Sequence, residues 1–225
     1  LVGFSEKNHQ WFAEGISLAK IAHDFSTPLY VYSKEAICSA YRAYDAACIR
    51  PNGTRRARIH YAMKANSNLA VLDELKQLGA GFDLVSGGEL ARALQIGADP
   101  KSLVFAGVGK SSAEIENALR AGVKCINVES ISELQRVNAI AKTLGLRAPI
   151  SLRVNPDVDA NTHPYISTGL KDNKFGIAFD DVLKTYHEAA RLPHIDVMGI
   201  DCHIGSQITS TSPYLDALDK VLNLI

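Results

Sequence analysis

The sequence is short of the features that mark most specialised chains. Its four cysteines, Cys38, Cys48, Cys125 and Cys202, stand far apart with no CxxC pair. That excludes a zinc ribbon or a disulfide framework and fits reduced, mostly buried thiols. Charge of either sign is not in excess, since 24 Lys and Arg balance 24 Asp and Glu, so no basic face is offered to nucleic acid. No apolar run approaches the roughly 20 residues of a membrane helix, and residues 1–10 lack a charged segment followed by an apolar one. A soluble, cytoplasmic protein is expected. An initiator Met is absent too, and the chain stops inside the apolar run Val221-Leu222-Asn223-Leu224-Ile225, so a longer parent protein is expected. What is present is an ordinary globular composition, 47% hydrophobic over 225 residues, long enough to bury a core without staples.

Short β-rich apolar runs recur at 58–64, 81–86, 103–107, 125–130, 149–155 and 194–203. The first four intervals between their starts are 23, 22, 22 and 24 residues, each filled by an amphipathic segment: 68–78, 88–96, 112–121 and 131–144. This is a βα repeat, which builds a parallel sheet, and its even spacing favours a (β/α)8 barrel of the TIM type over an open sheet. Ser33, Ser111 and Ser130 mark helix starts, Ser111 before an acidic first turn with Glu114 and Ser130 before a turn with Glu133 at capping-box spacing. Gly79, Gly97, Gly122 and Gly145 mark stops. The last interval is 45 residues, and its surplus is a polar loop, 156–176, before a helix over 180–191. Residues 1–33 form a leading segment, with a helix at 18–25 and a strand at 28–32, and residues 34–225 form the barrel. Only six βα units are visible where a barrel has eight strands.

Polar side chains in buried strands are costly unless they act. Alternation sorts them: His60 and Lys64, Asp83, Asn127 and Glu129, Arg153 and Asn155, and Asp201 and His203 each oppose an apolar set, near the C-terminal ends where barrel active sites are built. Singly, Lys64 fits a snorkelling lysine, His203 a satisfied core histidine, and Arg153 an ion pair with Asp83, Glu129 or Asp201. Together, five strands agreeing in parity and end point to a site. A lysine there suits Schiff-base chemistry, either attacking a substrate carbonyl as in aldolases or holding the aldehyde of pyridoxal phosphate. The second scheme also needs a planar group against the ring and donors for a phosphate, and His203-Ile204-Gly205-Ser206 offers both.

Two patterns mislead. Gly107-Val108-Gly109-Lys110-Ser111-Ser112 imitates a P-loop, but Val104 stands where the pattern requires glycine. Asp157-Val158-Asp159-Ala160-Asn161 imitates a calcium loop, but Thr162 and Thr168 replace its glycine and glutamate. Asn52-Gly53-Thr54 is a turn rather than a glycosylation site.

The blocks Tyr61-Ala62-Met63-Lys64-Ala65-Asn66, Phe82-Asp83-Leu84-Val85-Ser86-Gly87-Gly88-Glu89, Leu152-Arg153-Val154-Asn155 and His203-Ile204-Gly205-Ser206-Gln207 resemble the fold type III pyridoxal phosphate enzymes. With the loop block His163-Pro164-Tyr165 through Lys174-Phe175-Gly176, the chain is similar to the N-terminal barrel portion of the diaminopimelate decarboxylase family, from about residue 18 onward. The resemblance implies a truncated barrel without the family's C-terminal β-domain. It implies pyridoxal phosphate as cofactor, Lys64 as the Schiff-base lysine, and His203 stacked on the ring. Ser206 lies on the phosphate side, Arg153 beside the ring hydroxyl, and Asp83 and Glu89 in the supporting hydrogen-bond shell. The implied reaction converts meso-diaminopimelate to L-lysine and carbon dioxide, in a homodimer, with no metal, membrane or nucleic acid. The glycine-rich phosphate loop, the acidic partner of the pyridine nitrogen, the substrate arginines and a cysteine and tyrosine of the β-domain are not matched, so the chain alone is expected to be inactive. Two rivals stand beside this reading: another decarboxylase or a racemase of the same fold, and a single-barrel pyridoxal phosphate carrier without turnover.

Overall fold

Six successive helices begin on a side chain that accepts a backbone N–H, which fixes where each strand hands over to its helix. Ser17, Ser33, Asn68, Ser86, Ser111 and Ser130 are those caps. The computed structural model describes residues 1–156, 158 and 175–224, which divide into two units, Leu1–Phe82 and Asp83–Ile225.

The first unit opens with an antiparallel meander of β1 (Phe4–Lys7), β2 (Gln10–Ala13) and β3 (Ile16–Ser17), followed by α1 (Leu18–Phe25) and α2 (Lys34–Ala47). Glu14 ties meander to helix, because its Oε1 accepts from the Ser33 hydroxyl at 2.6 Å and from the Glu35 N–H at 2.7 Å. Those bonds hold the Glu14 carboxyl below its usual range. Next come β4 (His60–Ala62), a 3-10 turn over Met63–Ala65, and α3 (Leu69–Gln77). Cys38, Tyr41, Met63, Leu72 and Leu75 are buried here. The meander was not anticipated from the sequence, and the strand expected at 28–32 does not form. Pro28 has no N–H to give a ladder, and Tyr30 and Tyr32 remain exposed. The first expected strand is also shorter than read: alternation ends at Ala62, and Lys64 sits in the 3-10 turn instead of on a strand face.

The unit boundary falls inside β5 (Gly81–Leu84), whose Gly81 N–H donates to Ile59 in the first unit and whose Leu84 carbonyl accepts from Ala106 in the second. The second unit continues with α4 (Gly87–Gln95), β6 (Leu103–Phe105), α5 (Ser112–Ala121), β7 (Cys125–Val128), α6 (Ile131–Leu144), β8 (Ala148–Asn155), β9 (Ile177–Ala178), α7 (Val182–Arg191), β10 (Ile195–Cys202) and α8 (Ser212–Leu222). Its strands run parallel in the order β6, β7, β8, β10, with β9 paired to the end of β8. The expected parallel βα sheet is therefore present. Phe105, Ile126, Val128, Ile150, Leu152 and Val154 are fully buried, each worth about 1.5–3 kcal/mol of apolar transfer. A register shift between Val197 and Gly199 interrupts the alternation of β10.

Helix ends depart from expectation in detail. Ser111 and Glu114 make the full reciprocal box, whereas Glu133 turns its carboxylate away from the Ser130 N–H and onto Glu129 and Lys110. Gly122 and Gly145 take the left-handed conformation that ends their helices. The helix expected at 180–191 begins as a 3-10 turn over Phe179–Asp181, and α8 was not foreseen. Most of the loop expected at 156–176, with its His163 to Lys174 block, lies outside the described residues.

Candidate active site

In a parallel sheet every strand's C-terminal end opens on the same edge, so a row of polar groups collects there without any one strand being polar along its length. In the second unit this row is built by register. Asn127 of β7 faces Ser151 of β8, and the Ser151 hydroxyl donates to the Asn127 Oδ1 at 2.7 Å. One step further, Glu129 has just left β7 and takes both its oxygens to the Arg153 Nη1, at 2.9 and 3.1 Å. Asp201 of β10 is the register partner of Arg153, and His203 follows Cys202, the last residue of that strand. Glu129, Arg153 and Asp201 thus form one charged layer at the strand ends.

This layer is largely dry. The Glu129 and Arg153 side chains are 4% and 11% exposed, so their pairing is shielded and strong, and removal of either partner strands the other. Burial raises the Asp201 carboxyl above its ordinary value; Arg153 opposes that rise and Glu129 adds to it. Arg153 is also capped by an aromatic ring, with Phe175 5.3 Å from its guanidinium carbon. Gly176 lets the chain return this close: its φ is +77°, and a Cβ on it would lie 2.9 Å from the Arg153 carbonyl oxygen.

Beneath the layer lies a lysine that the sequence offered only within a false P-loop. Lys110 is 3% exposed, and its Nζ donates to the Gly107 carbonyl at 2.8 Å, the Asn127 carbonyl at 2.7 Å and the Glu133 Oε1 at 2.9 Å. Three donors meet three acceptors, so the buried ammonium is satisfied. The signal for it was weak: only a Lys and a Glu 23 residues apart, each at a βα junction. Glu114 has a similar bracing role at the preceding junction, accepting from the Gly87 N–H at 2.8 Å as well as from Ser111.

The remaining expected site residues lie in or shortly after strands. Lys64 is exposed in the turn directly after β4 of the first unit, and among the described residues its Nζ makes no hydrogen bond or ion pair. In the second unit, Asp83 lies in β5 between Phe82 and Leu84, both fully buried. Glu89 braces the loop that follows, accepting from the Val85 N–H at 2.7 Å while its own N–H donates to Ser86. His203 and Ser206 are exposed after β10, and His203 borders a cavity of about 360 Å³ that is also lined by Cys202, Ile204, Gly205, Tyr214 and Leu218. Ile204 and Ala217, which line it, belong to a small buried apolar cluster with Val158. All four cysteines are free, no metal-holding cluster exists among the described residues, and no helix among them is long and apolar enough to cross a membrane.

The chain is 55% identical over 223 residues to diaminopimelate decarboxylase of Pseudomonas aeruginosa, covering 99% of this chain and 52% of the relative. Among solved structures, diaminopimelate decarboxylase from M. jannaschii in complex with L-lysine superposes with a TM-score of 0.91 at 39% identity, over 100% of this chain and 54% of that one. The Helicobacter pylori enzyme with L-lysine gives 0.86 at 42% identity, over 92% and 51%. The chain therefore spans about half the length of the relatives it matches, the N-terminal barrel portion of their type III fold, as the resemblance implied. The family of pyridoxal-dependent decarboxylases, in its pyridoxal-binding domain, matches residues 35–225. With a match over most of its length, the chain belongs to the pyridoxal-dependent decarboxylase family and carries its pyridoxal-binding domain.

Proposed function

We propose that the chain is the cofactor-holding portion of a decarboxylase that converts meso-diaminopimelate to L-lysine and carbon dioxide. The observation that carries this is the 55% identity to the Pseudomonas aeruginosa enzyme over nearly the whole chain, with the expected lysine, arginine and histidine each at a strand's C-terminal end.

The residues suit pyridoxal phosphate. An aldehyde needs an amine that is not consumed by a carboxylate, and Lys64 has no ion pair among the described residues. An acidic ring hydroxyl needs a fixed cation, and Arg153 is fixed on Glu129. A flat ring needs a flat partner and its phosphate needs donors, which His203 and Ser206 supply beside their cavity. When bound, the cofactor supplies an electron sink for the pair left behind as carbon dioxide departs. The protein's own share would be placement: Lys64 would hold the cofactor covalently, Arg153 would meet the ring hydroxyl, and His203 would lie against the ring. Glu89 and Asp83 would belong to the supporting hydrogen-bond shell, Glu89 through its bond to the Val85 N–H. Assembly as a homodimer and a cytoplasmic location belong to this reading, as does a barrel running over 34–225 after a leading segment at 1–33.

The test is reductive trapping. The chain is incubated with pyridoxal phosphate, reduced with borohydride, digested and read by peptide mass, with circular dichroism to confirm folding. Label confined to Lys64 is expected, and label scattered over surface lysines of a folded chain overturns the assignment. In the full-length protein, carbon dioxide release from meso-diaminopimelate is expected. Release from another basic amino acid instead would assign a different decarboxylase of the same fold, and cofactor capture with no turnover of any amino acid would assign a carrier.

A further inference from the structure

The Lys110 cluster closes into a ring. Its Nζ holds the Gly107 carbonyl, the Gly107 N–H donates to the Glu129 Oε1 at 3.2 Å, the Glu129 N–H donates to the Glu133 Oε2 at 2.9 Å, and the Glu133 Oε1 returns to Lys110. Glu129 is thereby gripped at its backbone by one arm of the ring and at its carboxylate by the other. Its second task is to hold Arg153. The ring spans the loop after β6, the end of β7 and the first turn of α6, so three separate elements fix one carboxylate. A core built only for stability has no need of this: two buried charges here stabilise no more than well-packed apolar side chains of the same volume. What apolar packing cannot do is orient a carboxylate.

We propose that Lys110 and Glu133 are positioning residues, which set the Glu129 carboxylate and through it the direction of the Arg153 guanidinium. Neither needs to touch the cofactor. The ring accounts for why Lys110 is charged, buried and saturated at a strand end where a free amine is also required elsewhere in the chain. The consequence for the cofactor rests on the reading of Arg153 given above, but the positioning does not.

The experiment compares the full chain with its Lys110→Met, Glu133→Gln and Leu134→Ala variants. Leu134 is fully buried one residue along the same helix, so it supplies a loss of stability without a break in the ring. Arg153 side-chain N–H signals and the Glu129 amide are followed by nitrogen-15 NMR and hydrogen exchange, each corrected for the thermal midpoint. Lys110→Met is expected to speed exchange at both by about tenfold beyond Leu134→Ala, and Glu133→Gln to do so by less, because the amide oxygen still accepts from Glu129. If Lys110→Met does not fold, Glu133→Gln decides. Arg153 signals that move no further than in Leu134→Ala overturn the proposal and leave the pair a structural anchor. With pyridoxal phosphate added, Lys110→Met is expected to keep the Lys64 adduct while shifting its absorption toward that of Arg153→Met. An Arg153→Met adduct with an unshifted band would refute the role given to Arg153 and leave the positioning result standing.

Discussion

Two lysines stand a few residues beyond strand ends, in opposite surroundings. Lys64 follows β4 by two residues, exposed and without an ion pair among the described residues; Lys110 follows β6 by five, is 3% exposed and is bound by three oxygens. The Glu133 carboxylate 2.9 Å away and two backbone carbonyls take up the Lys110 amine. No such set of acceptors among the described residues occupies the Lys64 amine. On the reading proposed above, position in the βα unit does not separate reactive from structural lysine. The acceptors around the amine do.

The sharpest way to break this comparison is to remove each amine. Lys110→Ala leaves Glu133 and two carbonyls without their donor, and a loss of about 3–5 kcal/mol is expected. Lys64→Ala cuts an exposed side chain in a surface turn, and a change within about 0.5 kcal/mol is expected. Urea unfolding of the two variants measures both, and equal losses would show that Lys64 is as embedded as Lys110. Pairing Lys110→Met with Glu133→Leu is expected to recover some of the loss, the remainder being the Glu129 N–H left without its acceptor.

How much of this was legible follows from what a sequence displays. The βα repeat was visible because strand and helix each impose a period, and caps such as Ser111 and Ser130 are local chemistry. Lys64, Arg153 and His203 stood out because polar residues interrupt apolar runs. The Lys110 ring was not legible, since its links join residues 22 and 23 apart, the first of them through the Gly107 N–H, and backbone groups carry no sequence signature. Its lysine was visible only as a failed P-loop. The meander of the first unit was missed for another reason: strands of two to four residues are too short to show alternation. Likewise Glu133 looked like a capping-box glutamate, and the local pattern does not reveal that Lys110 competes for its carboxylate.

A second comparison sets two left-handed glycines against each other. Gly145 ends α6 at φ +66° with open space where a Cβ would point, while Gly176 has φ +77° and the Arg153 carbonyl 2.9 Å from that point. Gly145→Ala carries only the conformational cost, about 1 kcal/mol. Gly176→Ala adds a clash with backbone that cannot swing aside, so about 2–3 kcal/mol is expected, together with displacement of Phe175 from Arg153. Thermal midpoints order the two, and the reverse order would mean that the return of the chain to β8 is looser than its contacts imply.

The smallest effect separates two carboxylates with opposite shifts. Hydrogen bonds from the Gly87 and Ser111 backbones and the Ser111 hydroxyl hold Glu114 below its ordinary 4.5, whereas burial lifts Asp201 above its ordinary 3.8. A lowered carboxyl contributes stability that is present above the ordinary value and lost as pH falls through the shifted one; a raised carboxyl contributes stability that is present below the ordinary value and lost as pH rises through the shifted one. Glu114→Gln is therefore expected to be less stable than the parent at neutral pH and to converge with it in acid. Asp201→Asn is expected to gain on the parent as pH rises from about 3 to 7, because it no longer has to ionise in a buried place. Urea midpoints across that range read both signs. If Asp201→Asn instead falls behind the parent at neutral pH, the attraction of Arg153 outweighs burial, and Arg153 is shared between two carboxylates rather than held by Glu129.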